Sequence, residues 1–180
     1  MRNQMNNCMK LLAIAVLSTA GMSAASAATQ GTLTITGNVV DQTCEVDASQ
    51  LTRTVDLGDI TQGAIMAAAQ NASVTSKPLT FDVTKCPAST TGVGIKFEYT
   101  TDATNTQYLE NTGNGKGVLL GITDDTDTLV TPGNVVNAAN LNGGNATVNA
   151  KVQAYRTAAA DADVTAGNIA STATVTVVMN

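Results

Sequence analysis

Residues 166–180 of this chain read AGNIASTATVTVVMN, and the second half of this stretch has the pattern of a β-strand. Apolar residues recur at every second position from Ala173 to Met179, with Thr174 and Thr176 between them. This alternation predicts a strand with one face in the core and one face in solvent. A strand without a neighbour on each side leaves an open edge, which is an aggregation hazard. The fold therefore depends on where the neighbour of this strand comes from.

The first 27 residues have the features of a secretory signal peptide. Arg2 and Lys10 supply positive charge, the apolar run LLAIAVLSTAG follows, and residues 25–27 (ASA) form a small-residue cleavage pattern. Cleavage before Ala28 would leave residues 28–180, a length that suits one domain. The apolar run is shorter than the roughly 20 residues that cross a membrane, so no membrane insertion is predicted.

The composition of the exported part argues against nucleic-acid binding and against most enzymes. Without Arg2 and Lys10, 7 basic residues stand against 14 acidic ones, so nothing concentrates positive charge to meet phosphates. The chain has no His, which removes the commonest general base and the commonest zinc ligand. The acidic stretch DDTD at 124–127 lacks the further ligands of a calcium loop and predicts a solvated turn. No catalytic residue, metal site or cofactor is predicted.

Two cysteines remain after the signal peptide, Cys44 and Cys86. In an exported chain, an even pair predicts one disulfide, which would stabilise the fold by about 4 kcal/mol in the chain-entropy model. Two free buried thiols are the alternative. A redox-active pair is less favoured because the CxxC spacing is absent.

Strand-like segments separated by turn clusters run through the exported part, and one short segment, 63–70, is a helix candidate. The candidate strands are residues 32–40, 52–60, 77–86, 93–100, 116–123, 146–157 and the terminal stretch. Several strands at this spacing predict an all-β sandwich of immunoglobulin-like type.

The amino-terminal stretch GTLTITGNVVDQTC (31–44) contains a second alternating row. The row consists of Leu33, Ile35, Gly37 and Val39, and Asp41 continues it but suits a deep apolar pocket poorly. A glycine inside a strand weakens it unless another surface approaches closely at that point. The segment can serve as the first strand of a self-contained sandwich, or as the missing neighbour of a terminal strand in another copy.

The exported chain resembles the subunits of chaperone–usher pili, such as the type 1 and P pili of Gram-negative bacteria. The segments that carry the resemblance are GNVVDQTCEVD (37–47), VDLGDI (55–60), FDVTKCP (81–87), GVLLGITDD (117–125) and VQAYRT (152–157). Gly167, fourteenth from the end, matches a glycine that these subunits carry. Met179 stands where they carry an aromatic residue, and its adaptable side chain can fill the same pocket.

The resemblance implies an incomplete immunoglobulin-like sandwich that lacks its last strand and is completed by donor-strand exchange. It implies an extension at 28–42, a pilin domain at 43–180, and a donor row made of Leu33, Ile35, Gly37 and Val39. The terminal strand would border the open groove and meet the chaperone through Gly167, Ile169, Ala173, Val175, Val177, Met179 and the carboxylate of Asn180.

The implied partners are neighbouring pilus subunits, a periplasmic chaperone and an outer-membrane usher, with export through the periplasm to a cell-surface fimbria. The leading interpretation is thus a structural subunit that polymerises head to tail and supports cell adhesion, without enzymatic activity. The alternative is a single-domain adhesin whose loops recognise a host glycan or protein.

Overall fold

Antiparallel strands dominate the computed structural model, which describes residues 43–179 and Thr36. The strands are β1 (Glu45–Val46), β2 (Ser73–Thr84), β3 (Val93–Tyr99), β4 (Val118–Asp124), β5 (Val135–Asn137), β6 (Ala146–Arg156) and β7 (Ala173–Met179). Two helices, α1 (Ala48–Leu51) and α2 (Gln62–Ala67), and a 3₁₀ turn at Asp161–Asp163 lie between them. The strands form two sheets, in the orders β1-β2-β6-β4 and β5-β3-β7. The prediction of an all-β, two-sheet fold is confirmed.

The core lies between the two sheets and follows from the period of two in their strands. On β2, Leu79, Phe81 and Val83 are buried, whereas Asp82 between them is exposed. On β3, the same spacing buries Val93, Ile95 and Phe97. The rings of Phe81 and Phe97 meet edge to face across the two sheets, with centroids 6.0 Å apart.

The predicted strands on β2, β3, β4, β6 and β7 are confirmed, with ends that shift by a few residues. The strand predicted over 52–60 is wrong, because residues 53–60 make no strand ladder. The helix candidate at 63–70 corresponds to α2, where the hydroxyl of Thr61 accepts a hydrogen bond from the amide of Ala64. Residues 1–27 and the strand predicted over 32–40, apart from Thr36, lie outside the described residues.

Strands β1 and β5 and helix α1 are too short to produce a periodic pattern, and the sequence did not indicate them. Helix α1 begins after Asp47, whose carboxylate accepts a hydrogen bond from the amide of Ser49 at 2.8 Å. The hydrogen bonds from the Ser49 hydroxyl and amide lower the pKa of Asp47. No helix in the described part of the chain is long and apolar enough to cross a membrane.

The guanidinium of Arg156, at the end of β6, is buried and joins three parts of the chain. It donates to the carbonyls of Met66 and Ala68 at the end of α2, and to the carbonyl of Ala158. Its other terminal nitrogen, Nη2, contacts a carboxylate oxygen of Asp161 at 2.8 Å. Because a buried charge must keep its partners, these bonds fix α2 against the end of β6.

Candidate functional site

Strand β7 lies at the edge of the three-stranded sheet and is paired on one side only. Its partner is β3, in a register that runs from Tyr99 opposite Ala173 to Val93 opposite Met179. Within the described residues, no strand pairs with its other side. A row of backbone N–H and C=O groups seven residues long is therefore left without a strand partner.

The apolar face of β7 is only partly covered. Val175 and Val177 contact the core but are half-buried, whereas Ile95 and Phe97 on the adjacent strand are 0% exposed. Met179 is 41% exposed, and its Sδ accepts a hydrogen bond from the amide of Cys44 at 3.4 Å. The inward row of the last strand thus lacks the cover that a further strand would give.

The segment 53–60 forms the opposite wall of the open side. Val55, Leu57 and Ile60 point toward the core and are half-buried, but the backbone of this segment has no ladder partner. An open cavity of about 1030 Å³ lies between residues 54–62 and residues 165–171. We call this cavity, together with the open edge of β7, the groove. The strand prediction at 52–60 fails because no strand in the described part of the chain pairs with this segment.

The exposed edge of β2 is blocked by side chains. The side-chain oxygen of Gln50 accepts a hydrogen bond from the amide of Asp82 at 2.7 Å, and Arg53 donates to the carbonyl of Thr80 at 2.9 Å. Pro78, further along the same edge, has no amide hydrogen to offer. These residues protect the edge against pairing with another strand.

The edges of β4 and β5 are also protected. On β4, the carbonyls of Leu120 and Ile122 accept hydrogen bonds from the amides of Leu109 and Val130, each at 2.8 Å. Strand β5 has three residues, too few to template a long pairing. None of the described residues protects β7 in these ways, so among the described strands β7 is the long edge that remains without a partner.

Gly167 and Ile169 precede β7 rather than belonging to it, because residues 165–170 pair with a different part of the chain. The amides of Thr112 and Gly115 donate to the carbonyls of Ala170 and Asn168. A Cβ on Gly167 would lie 2.5 Å from the backbone nitrogen of Gly115, which leaves room for glycine alone. This contact lies in the wall of the groove at the end where β7 begins.

Replacing Gly167 by alanine is expected to lower the free energy of unfolding by about 1–3 kcal/mol, because the two backbones must separate. Urea unfolding followed by circular dichroism would measure the change. Gly63→Ala is the matched control: a Cβ at Gly63 meets nothing within 4 Å, and alanine favours its helix. A Gly167→Ala chain as stable as the Gly63→Ala chain would contradict the close contact.

Cys44 and Cys86 form a disulfide, as the sequence predicted. The bond joins the residue before β1 to a residue just beyond β2 and closes a separation of 42 residues. Since the Cys44 amide also contacts Met179, the disulfide lies at the end of the groove opposite Gly167.

The DDTD segment closes on itself as a turn. One carboxylate oxygen of Asp124 accepts hydrogen bonds from the amides of Thr126 and Thr128, each at 2.9 Å. Asp127 accepts from Lys151 at 2.8 Å, and this bond is the main reason that the pKa of Asp127 is lowered. Among the described residues, no group of three or more Cys, Asp or Glu side chains is placed to hold a metal ion.

The predicted donor residues Leu33, Ile35, Gly37 and Val39 lie outside the described residues, as does Asn180. The structure brings Ala173, Val175, Val177 and Met179 together on one side of the groove, and Ile169 lines the cavity just before β7. The pattern of β7 indicated this row. The sequence predicted a strand for the opposite wall at 53–60. Only the structure shows that this segment has no strand partner and lines the groove.

Comparison with known proteins relates this chain to fimbrial proteins. The family model "Fimbrial protein" matches residues 33–180. Protein FimG of Escherichia coli (strain K12) is 31% identical over 123 residues, which cover 68% of each chain. Long polar fimbria protein A of Salmonella typhimurium (strain LT2) is 33% identical over 124 residues, covering 67% of each chain.

Solved structures agree on the fold. The rod subunit PapA of the P pilus superimposes with a TM-score of 0.62 at 15% identity, over 77% of this chain and 100% of that one. A subunit from the structure of a chaperone–usher pilus gives the same TM-score at 18% identity, over 84% of this chain and 96% of that one. This chain therefore belongs to the fimbrial protein family of cell-surface pilus subunits.

Proposed function

We propose that this chain polymerises head to tail, with the extension 28–42 of one copy inserted into the groove of the next. The observation that carries the proposal is the unblocked edge of β7 above a half-buried apolar row. A strand laid on this edge pairs with the backbone of β7 and covers the row. A head-to-tail contact of this kind does not close on itself and produces a filament.

The extension has the pattern that such a strand needs. Leu33, Ile35 and Val39 lie on one side of an extended chain, and each stabilises the joint by about 1.5–3 kcal/mol when it is buried. Gly37 falls between them, where a narrow part of the groove would leave no room for a side chain. The half-buried residues of β7 and of segment 53–60 are the surfaces that this row would cover.

Before assembly, the same edge needs protection, because an open apolar groove promotes aggregation. A periplasmic chaperone would cover β7 and bind the carboxylate of Asn180, and an outer-membrane usher would exchange the chaperone for the next subunit. The contact residues proposed for the chaperone are Gly167, Ile169, Ala173, Val175, Val177, Met179 and Asn180.

The test is thermal unfolding of a chain that begins at Thr43, with and without a synthetic peptide of residues 28–42. At a peptide concentration of about 100 times Kd, binding adds about 2.7 kcal/mol of stability and raises Tm by roughly 5–10 °C. A peptide of the same composition in scrambled order is the control. A shortened chain that is already stable and indifferent to the peptide would indicate a complete sandwich and favour a binding module.

A further inference from the structure

One lysine lines the groove near the residues that precede β7 and has no ion-pair partner among the described residues. Lys116 is exposed and lines the cavity, and it is the only cationic residue among the described residues that do so. None of the four ion pairs of the described chain includes it. Asp56 and Asp59 line the same cavity, and neither forms an ion pair with Lys116. One carboxylate oxygen of Asp56 instead accepts a hydrogen bond from the amide of Gly58 at 2.8 Å.

The extension carries a single charged residue. Between Ala28 and Gln42, the only ionisable side chain is Asp41. It lies two residues after Val39 on the same side of an extended chain, so it follows the apolar row toward the groove. An isolated carboxylate at the end of an apolar row needs a cation or water beside it.

The exit point of the extension determines which end of the groove Asp41 reaches. The amide of Cys44 contacts Met179, so each domain releases its own extension at the carboxyl end of β7. In a head-to-tail filament, one copy (the donor) inserts its extension into the groove of the next copy (the acceptor). The donor's domain must then lie at the other end of the acceptor's groove. Asp41 is three residues from Cys44 and stays close to the donor's domain. The inserted strand therefore runs antiparallel to β7 and brings Asp41 to the end that Lys116 lines.

We propose that Asp41 of the inserted extension pairs with Lys116 of the acceptor copy and thereby sets the register of the joint. This inference rests on the proposed function. An apolar row that repeats every second residue can slip by two positions and still face the groove. Such a slip moves Asp41 by about 7 Å, away from Lys116. The ion pair thus distinguishes one register from its neighbours.

The test compares assembly of four full chains that lack only the signal peptide: the natural chain, Lys116→Glu, Asp41→Lys and the double variant. Assembly is followed by light scattering at low and high salt. Each single change is expected to slow assembly about tenfold at low salt, and the double variant is expected to recover to within about threefold of the natural chain. Salt at 1 M should remove most of these differences.

The control is Lys77→Glu, which makes the same change of charge at an exposed β2 residue outside the cavity. If Lys116→Glu assembles as fast as Lys77→Glu, or if the double variant does not recover, the ion pair is wrong while the groove proposal stands. If the natural chain does not assemble at all, the proposed function itself is wrong. Slow assembly of both single variants together with recovery in the double variant supports the ion pair.

Discussion

A chain carrying Gly37→Arg is expected to form no filaments, although its own domain remains folded. On the proposed joint, residue 37 faces the groove, where an arginine would bring a long charged side chain against apolar walls. A charge buried without a partner costs several kcal/mol, so the affinity of the extension for the groove should fall by more than 100-fold. Electron microscopy of purified chains and titration of the variant peptide would measure both effects.

The control for this change is the adjacent residue. Asn38→Arg adds the same charge one position along, and in the proposed joint residue 38 faces away from the groove. This variant should assemble at close to the natural rate. Normal filaments from Gly37→Arg, or equal loss in both variants, would refute the assignment of the row Leu33, Ile35, Gly37 and Val39 to the groove.

Loss of the disulfide is expected to have the second largest effect. Cys44→Ser should lower the free energy of unfolding by about 4 kcal/mol, because the unfolded chain regains the freedom that the 42-residue link removes. For a domain of this size, the change corresponds to a fall in Tm of roughly 10 °C. Differential scanning calorimetry would give the value, and the yield of exported protein should fall with it.

Two companion measurements separate the bond from the substitution. Cys44→Ser with Cys86→Ser should be as unstable as the single variant, since the bond is absent in both. The natural chain treated with a thiol reductant should approach the same Tm. An unchanged Tm in Cys44→Ser would mean that the disulfide contributes nothing to the stability of the fold.

The strands and the disulfide could be predicted from the sequence because their signals are local or chemical. Alternation along β3 and β7 indicates which face is buried, and two cysteines after a predicted signal peptide indicate the disulfide. Segment 53–60 has strand-like residues such as Val55 and Leu57, but a strand also requires a partner, and none is present in the described chain.

The identity of the open edge could not be predicted, because it depends on contacts between distant residues. Gln50 and Arg53 reach β2 across roughly thirty positions of sequence, and nothing in their local pattern indicates that role. The close contact that requires glycine at position 167 is likewise made by Gly115, which lies far from it in sequence. Only the folded chain shows that side chains, loops or short length protect the edges of β2, β4 and β5, and that the described residues leave the edge of β7 without such protection.

The position of the disulfide also determines how such a filament would bear tension. A pull on the extension enters the domain at Thr43, and the adjacent Cys44 passes it covalently to Cys86 at the end of β2. The force then spreads into the long ladder between β2 and β6. Without the bond, the load would fall first on β1, whose two residues could peel away one hydrogen bond at a time.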